Sequence, residues 1–193
     1  MNESNIDIQL RLNFKPKGVP YGAVERSDST NHGFKELKGN AAAAERIAEV
    51  QDNEALKKAL VNINRIDTPF FTVGCEKSLN REITNDRYWM KGFIEFAFNY
   101  ADIVDNAQHY FKLFYEFNKV VAETKYDLPI QFVWEIEAAH FSKINTGGFT
   151  ATVWITTMDN PERKEIEDMW GAGVSYLANF LSNYPTGNYR SIY

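Results

Sequence analysis

The sequence predicts an α+β fold, with a single antiparallel sheet of about five strands and three helices packed on one face. Apolar and polar residues alternate in several segments, and stretches with apolar residues at helical spacing follow them. Short links between consecutive strands favour hairpins, which make antiparallel sheets. With 193 residues, 44% of them hydrophobic, we expect one domain over residues 1–183 and a tail over residues 184–193.

The first strand is predicted from a strict alternation near the start of the chain. Single polar residues separate five apolar ones, which we expect to form one buried face: Ile6, Ile8, Leu10, Leu12 and Phe14. Residues 15–39 follow, rich in Pro, Gly, Ser and Asn and without periodicity. We expect a long loop there, and a loop of this length is usually functional or disordered.

Strong helix formers dominate residues 40–63, and their apolar side chains fall on one side of a helix. The spacing slips after Val50, where Asp52 and Asn53 have the chemistry to cap a second helix. We therefore expect one kinked helix or two abutting ones.

Two strand-strand-helix units are predicted in the rest of the chain. They consist of a short strand at 70–75, a polar connection through Arg87, a strand at 88–100, a helix at 101–125, strands at 129–141 and 149–158, and a helix opened by residues 159–161. A two-residue turn at 146–147 would pair Glu137 with Thr156. The first six elements of the chain resemble the ferredoxin-like β-α-β-β-α-β plan, extended here by a strand and a helix. This plan hosts many unrelated functions, so it predicts no activity.

The charge of the chain argues against a nucleic-acid partner. The formal net charge is -5 and the 21 basic residues are scattered, whereas phosphate binding needs a local surplus of Lys and Arg. No apolar run approaches the length of a membrane span, and the start shows no secretory signal. The single cysteine, Cys75, excludes an intramolecular disulfide. We expect a cytoplasmic protein without membrane partners, and no cofactor motif is found.

The segment 132–140 places two carboxylates and one of three histidines close together in sequence. Alternate side chains of a strand point to opposite faces, so Glu135 and Glu137 share one face while His140 lies on the other. We expect His140 at the edge of the core, hydrogen-bonded to a backbone carbonyl. A bulge at 138–139 would instead rotate it toward the carboxylates.

The polar face of the predicted sheet is the candidate site. Six side chains on it are candidate ligand-binding residues: Arg11, Lys91, Glu95, Glu135, Glu137 and Trp154. The face is a solvated surface, a partner interface anchored by Trp154 and Phe93, or the floor of a ligand pocket. Two carboxylates on neighbouring strands would hold a cation or act as general acid and base, but the sequence does not place Glu95 and Glu135 on neighbouring strands.

No metal site is predicted. Asp102, Asp105 and His109 fall at i, i+3 and i+7 of the predicted helix, which is compatible with a divalent metal. Helix starts favour Asp in any case, because its carboxylate accepts hydrogen bonds from the free backbone amides. Cys75 lies in an apolar strand and is expected to be a buried, unreactive thiol.

Two functional hypotheses follow. The first is a non-enzymatic binding or assembly module that forms a homo-oligomer, or binds another protein, through the sheet face, the long loop or the Tyr-rich tail. It is favoured by an aromatic content of 15% without a convergent catalytic set. The second is a small-ligand pocket or a carboxylate-based hydrolytic enzyme that uses Glu95, Glu135 and Glu137, with the 15–39 loop as a lid.

Overall fold

The computed structural model describes residues 7–25, 30–82, 84, 86–124, 129–187 and 190–193. The strands are β1 (Asp7–Val19), β2 (Val24–Glu25), β3 (Thr30–Asn31), β4 (Phe70–Glu82), β5 (Arg87–Phe98), β6 (Ile130–Phe141) and β7 (Thr146–Thr157). The helices are α1 (Glu54–Ile63), α2 (Ala107–Thr124) and α3 (Arg163–Ser182), and two short 3-10 turns, Ala41–Arg46 and Ala48–Val50, precede α1.

Five strands form one sheet in the order β1-β6-β7-β5-β4, and β2 pairs with β3 outside it. The predicted α+β class with five sheet strands and three helices is confirmed. The prediction of a purely antiparallel sheet is wrong, because β1 runs parallel to β6 while the other sheet pairs are antiparallel. The ferredoxin-like order is not confirmed, since β1 is an edge strand and β7 separates β6 from β5.

Both hairpins differ in detail from the prediction. β4 continues through the predicted polar connection to Glu82, and its polar residues are tolerated because that end of the strand is partly exposed. The turn predicted at 146–147 is wrong: Asn145 adopts a left-handed conformation with φ 51° and closes the hairpin one residue before β7 begins. Glu137 therefore pairs with Thr150. The new register leaves each side chain on its predicted face.

The main core lies between the sheet and the three helices. Trp134 of β6 and Trp170 of α3 are fully buried in it. A Cβ added to Gly92 would lie 2.6 Å from the Trp170 ring, so glycine at this point of β5 lets α3 approach the sheet closely. α2 packs over β6 and β7, α3 packs over β5 to β7, and α1 lies beside α3.

A second, smaller core covers one end of the opposite sheet face. It is built from side chains of the sheet, the segment after β1 and the chain end, and its buried members include Val19, Phe71, Phe141 and Ile192. The last four residues pair with the end of β5, because the Ile192 amide donates to the Asn99 carbonyl at 3.1 Å. This part of the predicted tail thus packs on its own sheet.

Helix starts depend on local capping. The Asn53 side chain accepts a hydrogen bond from the Leu56 amide at 2.8 Å, which confirms the predicted cap of α1. α2 begins at Ala107 instead of residue 101, because residues 101–105 form turns in which Asp102 accepts from the Arg190 amide. Among the helices that the structure describes, none is apolar over the length that a membrane crossing needs.

Candidate functional site

The six predicted site residues all lie on the sheet face that points away from the helices. Strand pairing brings them together from four strands, and they are Arg11 (β1), Lys91 and Glu95 (β5), Glu135 and Glu137 (β6) and Trp154 (β7). β7 lies between β5 and β6, so Glu95 and Glu135 are not on neighbouring strands but flank Thr152.

Glu135 is the centre of one half of this face, which we call the outer half. Its carboxylate accepts a hydrogen bond from the Trp154 indole at 3.0 Å and pairs with the Arg11 guanidinium at 3.3 Å. The Lys91 ammonium lies 4.4 Å from the centre of the Trp154 ring, and the Phe93 ring packs 4.7 Å from it. The side chains of this half are partly exposed, and the Glu135 carboxylate is paired with the Arg11 guanidinium and the Trp154 indole.

Lys17 is the centre of the other, inner half, and no pattern in the sequence predicts its role. A bulge between Asn13 and Lys17 interrupts the pairing of β1 with β6, and it returns Lys17 to the polar face. The Lys17 ammonium lies 2.6 Å from an oxygen of Glu95 and 2.6 Å from one of Glu137. The contact with Glu137 is a hydrogen bond, whereas the contact with Glu95 is an ion pair outside hydrogen-bond geometry.

The pKa values of the two carboxylates move in opposite directions. Burial raises the pKa of Glu95 above its ordinary value, and Lys17 offsets only part of that rise. Burial also acts on Glu137, but the Lys17 hydrogen bond and charge, with a hydrogen bond from Thr152, bring its pKa below the ordinary value. The pKa of Lys17 itself is raised: burial lowers it, and the charge of Glu95 together with the hydrogen bond and charge of Glu137 outweighs that effect.

The carboxylates of this face are thus held in ion pairs and hydrogen bonds with its own cations and donors. A split of two carboxyl pKa values is typical of acid-base pairs, but such a pair also needs room for a substrate. None of the three side chains lines the cavity of about 420 Å³ that lies beside β4. We therefore assign the Lys17, Glu95 and Glu137 cluster to holding β1 on the sheet.

Other candidates from the sequence do not form sites. His140 is exposed on the opposite sheet face, not packed at the core edge. Asp102 and Asp105 precede α2, so they do not share a helical face with His109. Within the described residues, no group of three or more His, Cys, Asp or Glu side chains is arranged to hold a metal ion.

A cleft of about 420 Å³ lies at the outer edge of β4, and we call it the β4 cleft. Its walls are both ends of the segment after β1, the 3-10 turns and β4 itself, with one side chain each from α1 and β5. The Tyr21 hydroxyl donates to the Val73 carbonyl at 3.1 Å and occupies the space that a Cβ on Gly74 would need, at 2.9 Å. The described part of the 15–39 segment thus covers the edge of β4, and not the Glu135 end of the polar face. The sequence analysis predicted this segment as a functional or disordered loop, with a lid over the glutamate face as one hypothesis.

β1 leaves its apolar face open. Leu10 and Leu12 pair with Trp134 and Ile136 of β6, which are both buried. Nevertheless, the exposed fraction of the side chains rises from 37% at Leu10 to 48% at Leu12 and 70% at Phe14. The expected burial of this face is wrong for these three residues, because the helices cover the sheet from β4 to β6 and none packs extensively on β1. Ile6 lies outside the described residues.

α2 carries two further exposed aromatic side chains, Phe111 and Tyr115. Phe117 contacts rings of α3, so with 3.6 residues per turn these two side chains lie on the side of α2 away from α3, and β1 is the edge strand on that side of the sheet. Phe114 packs on Trp134 with ring centres 6.0 Å apart, and Trp134 is the neighbour of Leu10. We call the whole surface the open patch, and its members are Leu10, Leu12, Phe14, Phe111, Phe114 and Tyr115.

No protein-family model matches the chain, and comparison with the curated proteins and with the solved structures gives no match either. The function must therefore be inferred from the residues of this chain.

Proposed function

We propose that the protein is a non-enzymatic assembly module that forms a homodimer through the open patch. The observation that carries this proposal is the exposure of Leu10 and Leu12 beside their buried partners Trp134 and Ile136 on β6, together with the exposure of Phe14 where the bulge of β1 begins. A cytoplasmic setting is part of the proposal, because a single, partly buried cysteine suits a reducing compartment.

The area of the patch is consistent with the centre of a dimer interface. Taking ~200 Å² for a whole aromatic side chain, the exposed parts of Phe14, Phe111 and Tyr115 amount to roughly 350 Å². This is the size of the largest apolar patch on a typical monomer, which is often functional. A stable interface buries about 800 Å² on each partner, with an apolar centre and a polar rim, so the patch would supply the centre.

The shape of the patch favours a second copy as the partner. The patch consists of a strand at the edge of the sheet and a helix that stands above the sheet. A twofold axis makes the two contacts between helix and strand identical, because each copy contributes both elements. α2 of each copy would then lie over β1 of the other and bury Phe111 and Tyr115 against Leu12 and Phe14. The patch carries no charged side chain, so the net charge of -5 on each copy adds little repulsion at its centre.

Size-exclusion chromatography with light scattering over a dilution series tests the proposal. The wild-type chain should change from dimer to monomer on dilution, and Leu12→Glu or Tyr115→Glu should be monomeric throughout, because each puts a charge into a desolvated contact. Ile66→Glu is the matched control, since Ile66 is 86% exposed and lies between α1 and β4. Circular dichroism is the check that each variant is folded.

A charge swap tests the arrangement of the two copies. Leu12→Glu and Tyr115→Lys should each be monomeric alone, and their mixture should form a heterodimer, because one half of the interface stays native and the other gains an ion pair. A wild-type monomer at every concentration would refute the dimer. A mixture that stays monomeric, with a dimeric wild type, would refute the placement of α2 on β1.

A further inference from the structure

The outer half of the polar face already holds an ammonium group on an aromatic ring. The Lys91 ammonium lies 4.4 Å from the centre of the Trp154 ring. Most of the other described lysines pair with a carboxylate, as Lys112 does with Glu116, whereas Lys91 has no such partner among the described residues. The negative face of an indole attracts a cation, so the ring of Trp154 acts here as the receptor of an ammonium group.

A second ring stands beside the first and forms a corner with it. Phe93 and Trp154 are direct partners across β5 and β7, and their ring centres lie 4.7 Å apart at an angle of 59°. Both side chains are partly exposed, because the smaller core on this sheet face covers only its other end. A corner of two tilted rings offers a cation a second aromatic wall.

The Trp154 ring is held and polarised by a carboxylate. Its indole N–H donates to Glu135 at 3.0 Å, which fixes the orientation of the ring. Because the acceptor is charged, the hydrogen bond is strong and shifts electron density toward the indole. A ring with more electron density attracts a cation more strongly.

A further carboxylate borders the corner from the other side. Glu76 of β4 pairs directly with Phe93 of β5, which places both side chains on the same face of the sheet. Glu76 is exposed, and within the described part of the chain no cation lies within ion-pair distance of it. The ring pair thus lies between Glu76 on β4 and Glu135 on β6, and Arg11 neutralises only the second of these.

We propose that the corner of Phe93 and Trp154 binds a small molecule that carries a quaternary ammonium group. This group lies over the Trp154 ring in the place of the Lys91 ammonium, and the exposed Lys91 side chain turns into solvent. A quaternary ammonium competes well with a primary one, because its methyl groups leave it weakly hydrated and it loses less hydration on the ring. Glu76 and Glu135 disfavour an anion in the same place.

The corner is separate from the surface of the proposed dimer. Leu10 and Leu12 point to the helix side of the sheet, whereas Arg11 between them shares the polar face with Lys91 and Trp154. The two proposals therefore hold or fail separately.

An NMR titration of the isotope-labelled full chain tests the proposal. The indole N–H signal of Trp154, assigned with Trp154→Phe, reports on the corner. The probes are tetramethylammonium, choline and dimethylbutanol, the neutral isostere of choline in which carbon replaces nitrogen. Both cations should shift the signal with a Kd in the millimolar range, and the isostere should bind about tenfold more weakly or not at all.

A gain of affinity on removal of the internal cation is the sharpest expectation. Lys91→Gln should bind choline about threefold more tightly, because the free protein no longer fills the ring with its own ammonium. Lys112→Gln is the matched control for the change of net charge, since Lys112 is exposed on α2.

The bordering carboxylate is tested in the same way. Glu76→Gln should weaken choline binding about threefold, as expected for the loss of an exposed charge beside a bound cation. Glu123→Gln is the control, because Glu123 is exposed on α2 and pairs with Lys119.

Three results would overturn the proposal. The first is an unchanged Trp154 signal at about 100 mM choline, where a site with a millimolar Kd would be filled. The second is a neutral isostere that binds as tightly as choline, which would make the corner a plain apolar surface. The third is a Lys91→Gln chain that binds choline no more tightly than Lys112→Gln, which would show that ligand and lysine do not share the ring.

Discussion

The two edge strands of the sheet are treated differently by the rest of the chain. β4 is covered by the segment after β1 and by the 3-10 turns, which fold over its outer edge and leave a polar cleft. β1 has neither a helix over its apolar face nor a strand beside its outer edge among the described residues. An uncovered edge strand with an apolar face invites pairing or aggregation. The difference suggests that one edge is closed by the chain itself and the other by a partner.

Features that prevent a strand of another chain from pairing with β1 occur only in its second half. The bulge, with Lys15 and Pro16 in it, interrupts the ladder there, and Pro16 has no amide to donate. The first half, up to Asn13, is regular and carries Leu10 and Leu12. Strand pairing and apolar contact are therefore available together only in the half that forms the floor of the open patch.

The reactivity of Cys75 measures how well the β4 edge is covered. Burial and the charges of Glu49 and Glu76 raise the pKa of its thiol from 9.0 to about 12. The thiolate is the reacting species, so alkylation by iodoacetamide near pH 8 should be about a thousandfold slower in the folded chain than in urea. The rate should increase about tenfold per pH unit up to that pKa. Equal rates in the folded and unfolded chain would show that this edge is open.

Removal of the Lys17 ammonium should loosen the β1 edge. Lys17→Met leaves Glu95 and Glu137 together in a partly buried site without a cation. Breaking such a pair by removing one partner costs about 3 kcal/mol, to be read from urea denaturation at pH 7. Lys112→Met is the control, because its exposed pair with Glu116 should contribute less than about 1 kcal/mol.

The loss caused by Lys17→Met should also depend on pH. Lys17 lowers the pKa of both carboxyls while burial raises both, so removal of the cation should raise the folded-state pKa of each. A raised folded-state pKa gives stability that is present below the unfolded pKa and lost as the pH rises through the folded one. The deficit of the variant should therefore be largest near pH 7 and shrink toward pH 4. A deficit independent of pH would show that lost packing, and not charge, explains it.

The cover of β4 depends on a second lysine. The Lys38 ammonium donates to the carbonyls of Arg65, Thr68 and Phe70, each at 2.7 Å, and so joins the covering segment to the start of β4. Lys38→Met leaves these acceptors without their donor and should lower the free energy of unfolding by about 2 kcal/mol.

Urea denaturation of Lys38→Met, with Lys58→Met as the control, makes this measurement. Lys58 is exposed on α1 and forms an i,i+4 pair with Glu54, which contributes about 0.5 kcal/mol or less. Equal stability of the two variants would refute the assigned role of Lys38.

The sequence correctly predicts features that depend on residues close together in the chain. It fails for features that depend on how distant segments pack. Strand parity places Glu135 and Glu137 on one face and His140 on the other, because it depends only on alternation along β6. The burial of Leu10 depends instead on whether a helix reaches β1, which the local pattern does not contain. The β4 cleft is lined by Lys35, Glu49 and residues of β4, which come from separate segments. No spacing pattern in the sequence therefore predicts it.

Thermal unfolding over a range of protein concentrations should show the smallest of the expected effects. It tests whether a second copy covers the β1 edge. If the open patch is covered by a second copy, dimerisation stabilises the folded state, and a tenfold higher concentration should raise the wild-type midpoint by about 2 °C. Leu12→Glu should show no dependence on concentration, whereas Ile66→Glu should follow the wild type. A midpoint of Ile66→Glu that is as independent of concentration as that of Leu12→Glu would mean that the stabilisation does not come from contacts at the open patch, and that β1 is no more covered by a second copy than any other exposed apolar surface.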